Sequence, residues 1–306
     1  MLEKIQNQIR SGKKKVIIHN FKENSVDLAL LLKENLISPS CSLKKLWIYG
    51  TFMVNDSIKI LMEGLKENHS IIELRLCNIF YNTDINPSLG YINNMLKKNK
   101  NITHLSLIEC NIRENIEILI DGLKKSNIQC FHLEQNDLGT KGIEKLKEYI
   151  EDPSCCLERL NLSENQIPKT TLEKKLLPIL RKNISLFSVD IYGNLYSEVI
   201  EKKIEEKIKK ETDINKEIQK LWKQFSQQTS GFFTKEQENY LKKRPYKITQ
   251  DHSKLPLQLR ILIQEYLPKK TKLNNIELFI RWIIEKKGMD EDDERVQKLI
   301  RFEKNL

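Results

Sequence analysis

Four stretches decide how this chain folds: ITHLSLIECNI at 102–112, IQCFHLEQNDL at 128–138, LERLNLSENQI at 157–167 and LFSVDIYGNLY at 186–196. Laid over one another, each reads apolar, two variable, apolar, one variable, apolar. Three residues on comes Cys110, Asn136, Asn165 or Asn194, and two beyond that Ile112, Leu138, Ile167 or Tyr196. The first six residues predict a short strand, because alternate strand side chains share a face and the fourth and sixth positions are both apolar. Cys or Asn just after it predicts a corner, since such side chains reach backbone groups that a turn leaves unpaired. Two fainter copies precede these, at Leu43, Leu46, Ile48 and at Ile71, Leu74, Leu76, and an N-terminal strand at Val16 to Ile18 is expected to act as a lid.

A helical stretch follows each corner. Ile116, Leu119, Ile120 and Leu123 recur at three-to-four spacing, as do Ile143, Leu146 and Ile150, then Leu172, Leu176 and Leu180, then Ile200, Ile204 and Ile208. Each unit is therefore one strand plus one helix. The starts at 43, 71, 102, 128, 157 and 186 lie roughly 26 to 31 residues apart.

This pattern resembles the ribonuclease-inhibitor class of leucine-rich-repeat proteins, over about residues 13 to 212. The resemblance implies an α/β solenoid, with parallel strands lining a concave face and helices outside. The repeat from Ile71 departs from it: Asn is missing at the corner unless Asn78 substitutes by a shift, and INPSLG at 85–90 reads as an insert that predicts local irregularity. One repeat cannot shield both its faces, so units must stack and the ends need covers. Residues 1–12 are expected to form an N-terminal cap and 213–306 a small all-helical C-terminal region.

Beyond Thr212 the strand motif stops. Helical pieces remain, with Ile214, Ile218, Leu221, Trp222 and Phe225 on one stripe and Ile276 to Ile284 on another around Trp282. LPLQLRILIQEYL at 255–267, with FIRW at 279–282, resembles the F-box pattern LPxxLxxxIxxYL. That resemblance implies that Leu255, Pro256, Leu259, Ile263 and Leu267 dock a helical adaptor of a ubiquitin ligase. A Pro-started capping helix accounts for the same residues. MDEDDER at 289–295 resembles the acidic C-terminal signals of effectors that intracellular bacteria inject through type IV secretion. The alternative there is a helix N-terminal turn, where the macrodipole favours acidic residues.

The chemistry-bearing patterns are mostly absent. No GxxxxGK, GxGxxG, HExxH or GxSxG string occurs, and the six cysteines form no CxxC pair, so the expectation is a non-enzymatic chain with buried thiols, no metal and no cofactor. His132 and Glu134 share a strand face and could do acid-base work, although polar lining is the plainer reading. No run approaches the ~18 apolar residues of a membrane span, and the start MLEKIQNQIRSGKKK lacks a secretory signal's apolar core. These features predict a cytoplasmic chain, or one delivered to a host cytosol without a signal peptide.

The positions flanking the sixth residue of each strand motif should face away from the helices. They are Trp47 and Tyr49, Arg75 and Cys77, Ser106 and Ile108, His132 and Glu134, Asn161 and Ser163, Asp190 and Tyr192. Mixed aromatic, acidic and basic character fits a protein partner better than the uniformly basic stripe that nucleic acid requires. Trp47 and Tyr49 either meet that partner or lie under the N-terminal cap. The net charge of +10 keeps binding of nucleic acid or anionic lipid as an alternative, weakened because acidic residues alternate with lysines nearly throughout. When free, the chain is expected to be a monomer.

Overall fold

The computed structural model describes residues 1–80, 84–152, 155–228, 289–290 and 292–303. Seven strands form a single parallel sheet in unbroken chain order: β1 (Lys15–His19), β2 (Lys45–Tyr49), β3 (Glu73–Cys77), β4 (His104–Ile108), β5 (Cys130–His132), β6 (Arg159–Asn161) and β7 (Ser188–Asp190). Helix α1 (Leu2–Arg10) precedes the sheet. The connections carry α2 (Ser25–Leu36), α3 (Asn55–Glu67), α4 (Ile85–Lys98), a 3-10 turn (Arg113–Leu119) leading into α5 (Ile120–Lys125), and α6 (Gly139–Ile150). A helical run over 169–180 contains α7 (Lys169–Thr171) and α8 (Leu177–Leu180), and α9 (Glu198–Gln228) follows β7.

Strand alternation builds the core. Val16, Ile18, Leu46, Ile48, Leu74, Leu76, Leu105 and Leu107 are all buried, and they pack in one cluster with helix residues such as Leu28, Leu32, Ile58, Leu61, Ile92 and Leu123. The Val16 to Ile18 segment is thus more than a lid: β1 pairs with β2 along five residues, and its two apolar side chains enter the common core. INPSLG is not an irregular insert either. Asp84 accepts a hydrogen bond from the Asn86 amide at 3.1 Å and starts α4, so these residues are its first turns. Pro87 is tolerated there because the first helical amides have no intrahelical partner. Pro178 sits deeper, where its ring would crowd the carbonyl four residues back, and the wider π turn over Leu172–Leu176 gives it room.

Two ladders of buried polar side chains tie unit to unit. At the strand-to-helix corner, Asn165 Oδ1 accepts from the amides of Asn136 (3.0 Å) and Leu138 (3.4 Å) in the preceding unit. Its Nδ2 donates to the carbonyls of Leu133 and Ser163. Asn136 and Asn194 repeat this arrangement one unit earlier and later, and the Cys110 thiol donates to the Leu76 carbonyl. Thr51 holds the same place after β2, accepting from the Phe21 amide at 3.2 Å. After β3 the place belongs to Ile79, wholly buried, so Asn78 does not substitute by a shift. Asn78 instead takes the preceding left-handed position at φ 50°, in line with Glu109, Gln135 and Glu164 at 54–55° and Gly193 at 70°.

The second ladder lies where helix returns to strand. Asn68, Asn99 and Asn183 donate to the carbonyls of Leu36, Leu65 and Ile150 near the end of the previous helix, and accept from the amides of Ile71, Ile102 and Leu186. Each therefore satisfies a helix-end carbonyl that has no partner within its own helix.

The junction expected at 212–213 falls within α9, which runs through it without a break. A last helix, α10 (Glu294–Glu303), packs on α9: the wholly buried Lys298 donates to the Glu211 backbone carbonyl (2.8 Å) and pairs with its carboxylate (3.1 Å). Within the acidic stretch, Asp293 accepts from the Arg295 amide at 2.9 Å, which makes it a helix-starting residue. The F-box-like segment with Leu255, Pro256, Leu259, Ile263 and Leu267, and the stripe around Trp282, lie outside the described residues. Among the described residues no helix is long and apolar enough to cross a membrane.

Candidate functional site

The pairing register aligns the face opposite the helices into rows. Trp47, Arg75, Ser106, His132, Asn161 and Asp190 are successive partners from β2 to β7, with Ile17 beside Trp47 on β1. Tyr49, Cys77 and Ile108 run alongside, with His19 next to Tyr49. Glu134, Ser163 and Tyr192 each follow two residues after a row position on β5, β6 and β7. A further row, Lys45, Glu73, His104, Cys130, Arg159 and Ser188 with Lys15 at its head, lies on the same face and was not among the expected positions. The signal for it was present, since the residue just before the fourth motif position has the same strand parity.

At the β1–β3 end, cations surround an indole. Lys15 Nζ lies 3.3 Å from the centre of the Trp47 ring and the Arg75 guanidinium 4.3 Å from it, both within cation–π range. Glu73, only 5% exposed, bonds Lys45 Nζ at 2.8 Å and Arg75 Nε at 2.7 Å. Burial opposes ionisation of this carboxyl, but the bonds from Lys45 and Arg75 outweigh it and hold its pKa below the usual value. Tyr49 stacks on His19 at 4.9 Å and meets the Trp47 ring edge-on at 6.3 Å. These ring contacts join Trp47 and Tyr49 to each other and to side chains of β1 and β3.

Toward β7 the polar groups hold one another. Glu134 accepts from Asn161 Nδ2 and lies 3.9 Å from His132 Nδ1. Ser163 donates to Asp190 at 2.9 Å, and Asp190 also accepts from the Tyr192 amide at 3.1 Å. Burial lowers the pKa of His132 and of His104 on β4, favouring neutral rings at pH 7. The 3.9 Å between His132 and Glu134 is longer than a hydrogen bond, and the other polar groups around the pair are tied into strand-to-strand bonds rather than aimed at a common point. Among the described residues no group of three His, Cys, Asp or Glu could hold a metal ion.

The outer helical surface differs in kind. Lys33–Glu63, Lys97–Asp121, Lys145–Glu117, Lys175–Glu144 and Lys207–Glu173 each bridge neighbouring helical segments. Many lysines there are thus partnered by carboxylates, which agrees with the alternating charges of the sequence. At the far edge Tyr192 is 61% exposed, beside a cleft of about 560 Å³ between β7 and α9 that Asp190, Glu205, Lys209 and Lys216 help to line.

No protein-family model matches the chain, and no curated protein matches it. Among solved structures it is similar to "Leiomodin-1 Actin-Binding Site 2 (ABS2)", with 12% identity and a TM-score of 0.31 over 74% of this chain and 97% of that one. A likeness of that strength carries no argument about function.

Proposed function

We propose that the chain is a leucine-rich-repeat solenoid of the ribonuclease-inhibitor type that acts without catalysis, holding a protein partner on its concave sheet face. One observation carries this reading: the register aligns Trp47, Arg75, Ser106, His132, Asn161 and Asp190 across six strands, on the face opposite the helices. A rigid sheet that presents aromatic, cationic and anionic side chains in fixed order suits recognition of a folded surface. Aromatic and Arg side chains supply most of the energy in such contacts. The partner-binding set comprises Trp47, Tyr49, Arg75, Ser106, Ile108, His132, Glu134, Asn161, Ser163, Asp190 and Tyr192, of which Ser106 and Ser163 are themselves buried and line the face from below its exposed side chains. The ladders favour the same reading, because side chains bonded to the backbone of the neighbouring unit leave the sheet little freedom to deform on binding.

The test is affinity purification with the wild-type chain, a variant with Trp47, Tyr49, His132 and Tyr192 changed to Ala, and a control with Lys203→Ala on the exposed side of α9. Partners kept by the control and lost by the quadruple variant support the proposal. An identical partner list for all three rejects it.

A further inference from the structure

Charge on the sheet face is sorted along the strand order. Strands β1 to β3 place Lys15, Lys45 and Arg75 on this face against the single carboxylate of Glu73. Lys13, Lys14 and Lys44, all exposed, lead into the first two of these strands. Lys15 makes no ion pair among the described residues; its ammonium rests on the Trp47 ring, which leaves its charge available to an arriving anion. The opposite end carries more carboxylates on the face, while Lys209 and Lys216 sit off it in the cleft toward α9. Glu134 and Asp190 lie there with Arg159, and the exposed corner residues Glu109, Asp137 and Glu164 add three more carboxylates along one edge.

We propose that this face selects a protein segment of matching polarity, one that sets carboxylate side chains on the Lys15–Trp47–Arg75 corner and Lys or Arg side chains on the Glu134–Asp190 end. The inference rests on the docking role proposed above and adds the chemistry and direction of the partner. Neighbouring strands lie about 4.8 Å apart, so β2 and β6 are about 19 Å apart. Acidic and basic groups on the partner must then be about six residues apart if it is extended, or about 13 if it is helical. A nucleic acid or an anionic bilayer fits poorly. A polyanion seated on the cationic corner meets Glu134, Glu164 and Asp190 within the same span, and like charges at that distance repel.

The test uses the full chain and dye-labelled hexaglutamate, hexalysine and a six-nucleotide oligothymidylate, followed by fluorescence anisotropy at low salt. Lys15→Gln with Arg75→Gln is expected to weaken hexaglutamate roughly 10-fold, taking each exposed charge as worth about 2- to 5-fold, and to leave hexalysine unchanged. Glu134→Gln with Asp190→Asn should do the reverse, and thermal melts establish that both variants are folded. Equal effects of either variant on both peptides, or oligothymidylate binding tighter than hexaglutamate, overturns the proposal. That failure stays separate from failure of the docking role: a partner still lost with the four-alanine variant keeps the docking face and removes only its polarity.

Discussion

Asn165→Ala puts the corner ladder to a quantitative test. Asn165 is wholly buried, and its carboxamide makes four bonds. Two of the groups it serves have other partners: the Leu133 carbonyl also accepts from Asn136 Nδ2 at 2.9 Å, and the Ser163 carbonyl from the Gln135 amide at 3.1 Å. The Asn136 and Leu138 amides lose their acceptor. A buried donor left without a partner costs about 1–3 kcal/mol, and the longer 3.4 Å bond to Leu138 counts for less, so the expected loss is about 2–4 kcal/mol. Thr51→Val leaves the Phe21 amide without its 3.2 Å acceptor, while the Tyr49 carbonyl, to which the Thr51 hydroxyl donates at 3.1 Å, keeps the Asn20 amide, so it should cost about 1 kcal/mol. Urea unfolding gives both values. Hydrogen exchange then locates the damage, with the Asn136 and Leu138 amides losing protection ahead of those in β1 and β2. A loss for Asn165→Ala below about 0.5 kcal/mol would refute the view that this ladder couples the units.

Two glycines in helices should respond in opposite directions to Ala. A Cβ at Gly122 would lie 2.7 Å from the Asn93 backbone oxygen, whereas one at Gly90 meets nothing within 4 Å. Gly122→Ala is expected to destabilise by about 1–3 kcal/mol and Gly90→Ala to stabilise by about 0.5–1 kcal/mol, so thermal melts that move the same way contradict the packing described. Because burial depresses the pKa of His104 and His132, the unfolded chain takes up protons first as pH falls below 6.5. Stability should therefore decline from pH 6.5 downward, until the lower folded-state values are passed. The double variant His104→Gln, His132→Gln should show a flatter profile in pH-dependent melts, and an unchanged slope would rule this out. Burial pushes the thiol of Cys77 up to about 11 and that of Cys155 to about 12, whereas Cys41 and Cys156 are partly exposed. Iodoacetamide on the native chain should therefore label Cys41 and Cys156 first, and mass spectrometry showing Cys110 or Cys155 modified first would count against the structure.

The sequence pattern of the last four repeats located β4 to β7 and their corners, because two apolar positions of one parity followed by Asn or Cys leave few alternatives. It was less informative where identity and role part company. Ile79 fills a ladder position with a purely apolar side chain, so no polar residue marked that corner. The second ladder was legible in the spacing of Asn68, Asn99 and Asn183, each three residues before the first apolar residue of a strand motif. It escaped because Asn is common in this chain. Strand β1 carries a short apolar alternation that also suits a terminal cover, and only its five-residue pairing with β2 distinguishes the two roles. Among the face residues, the Lys15–Trp47 and Trp47–Arg75 contacts join residues 32 and 28 positions apart, and no local pattern encodes that.

A sheet whose strands pair strictly with their neighbours in the chain has a consequence for how the protein is made. Among the described residues, no strand waits for a mate encoded far downstream. At about 5–20 residues per second a ribosome delivers one further unit every few seconds, and each finds a finished edge on which to settle. The nascent chain can therefore hide its apolar surfaces stepwise as it emerges, and the edge left open at any moment is one strand long.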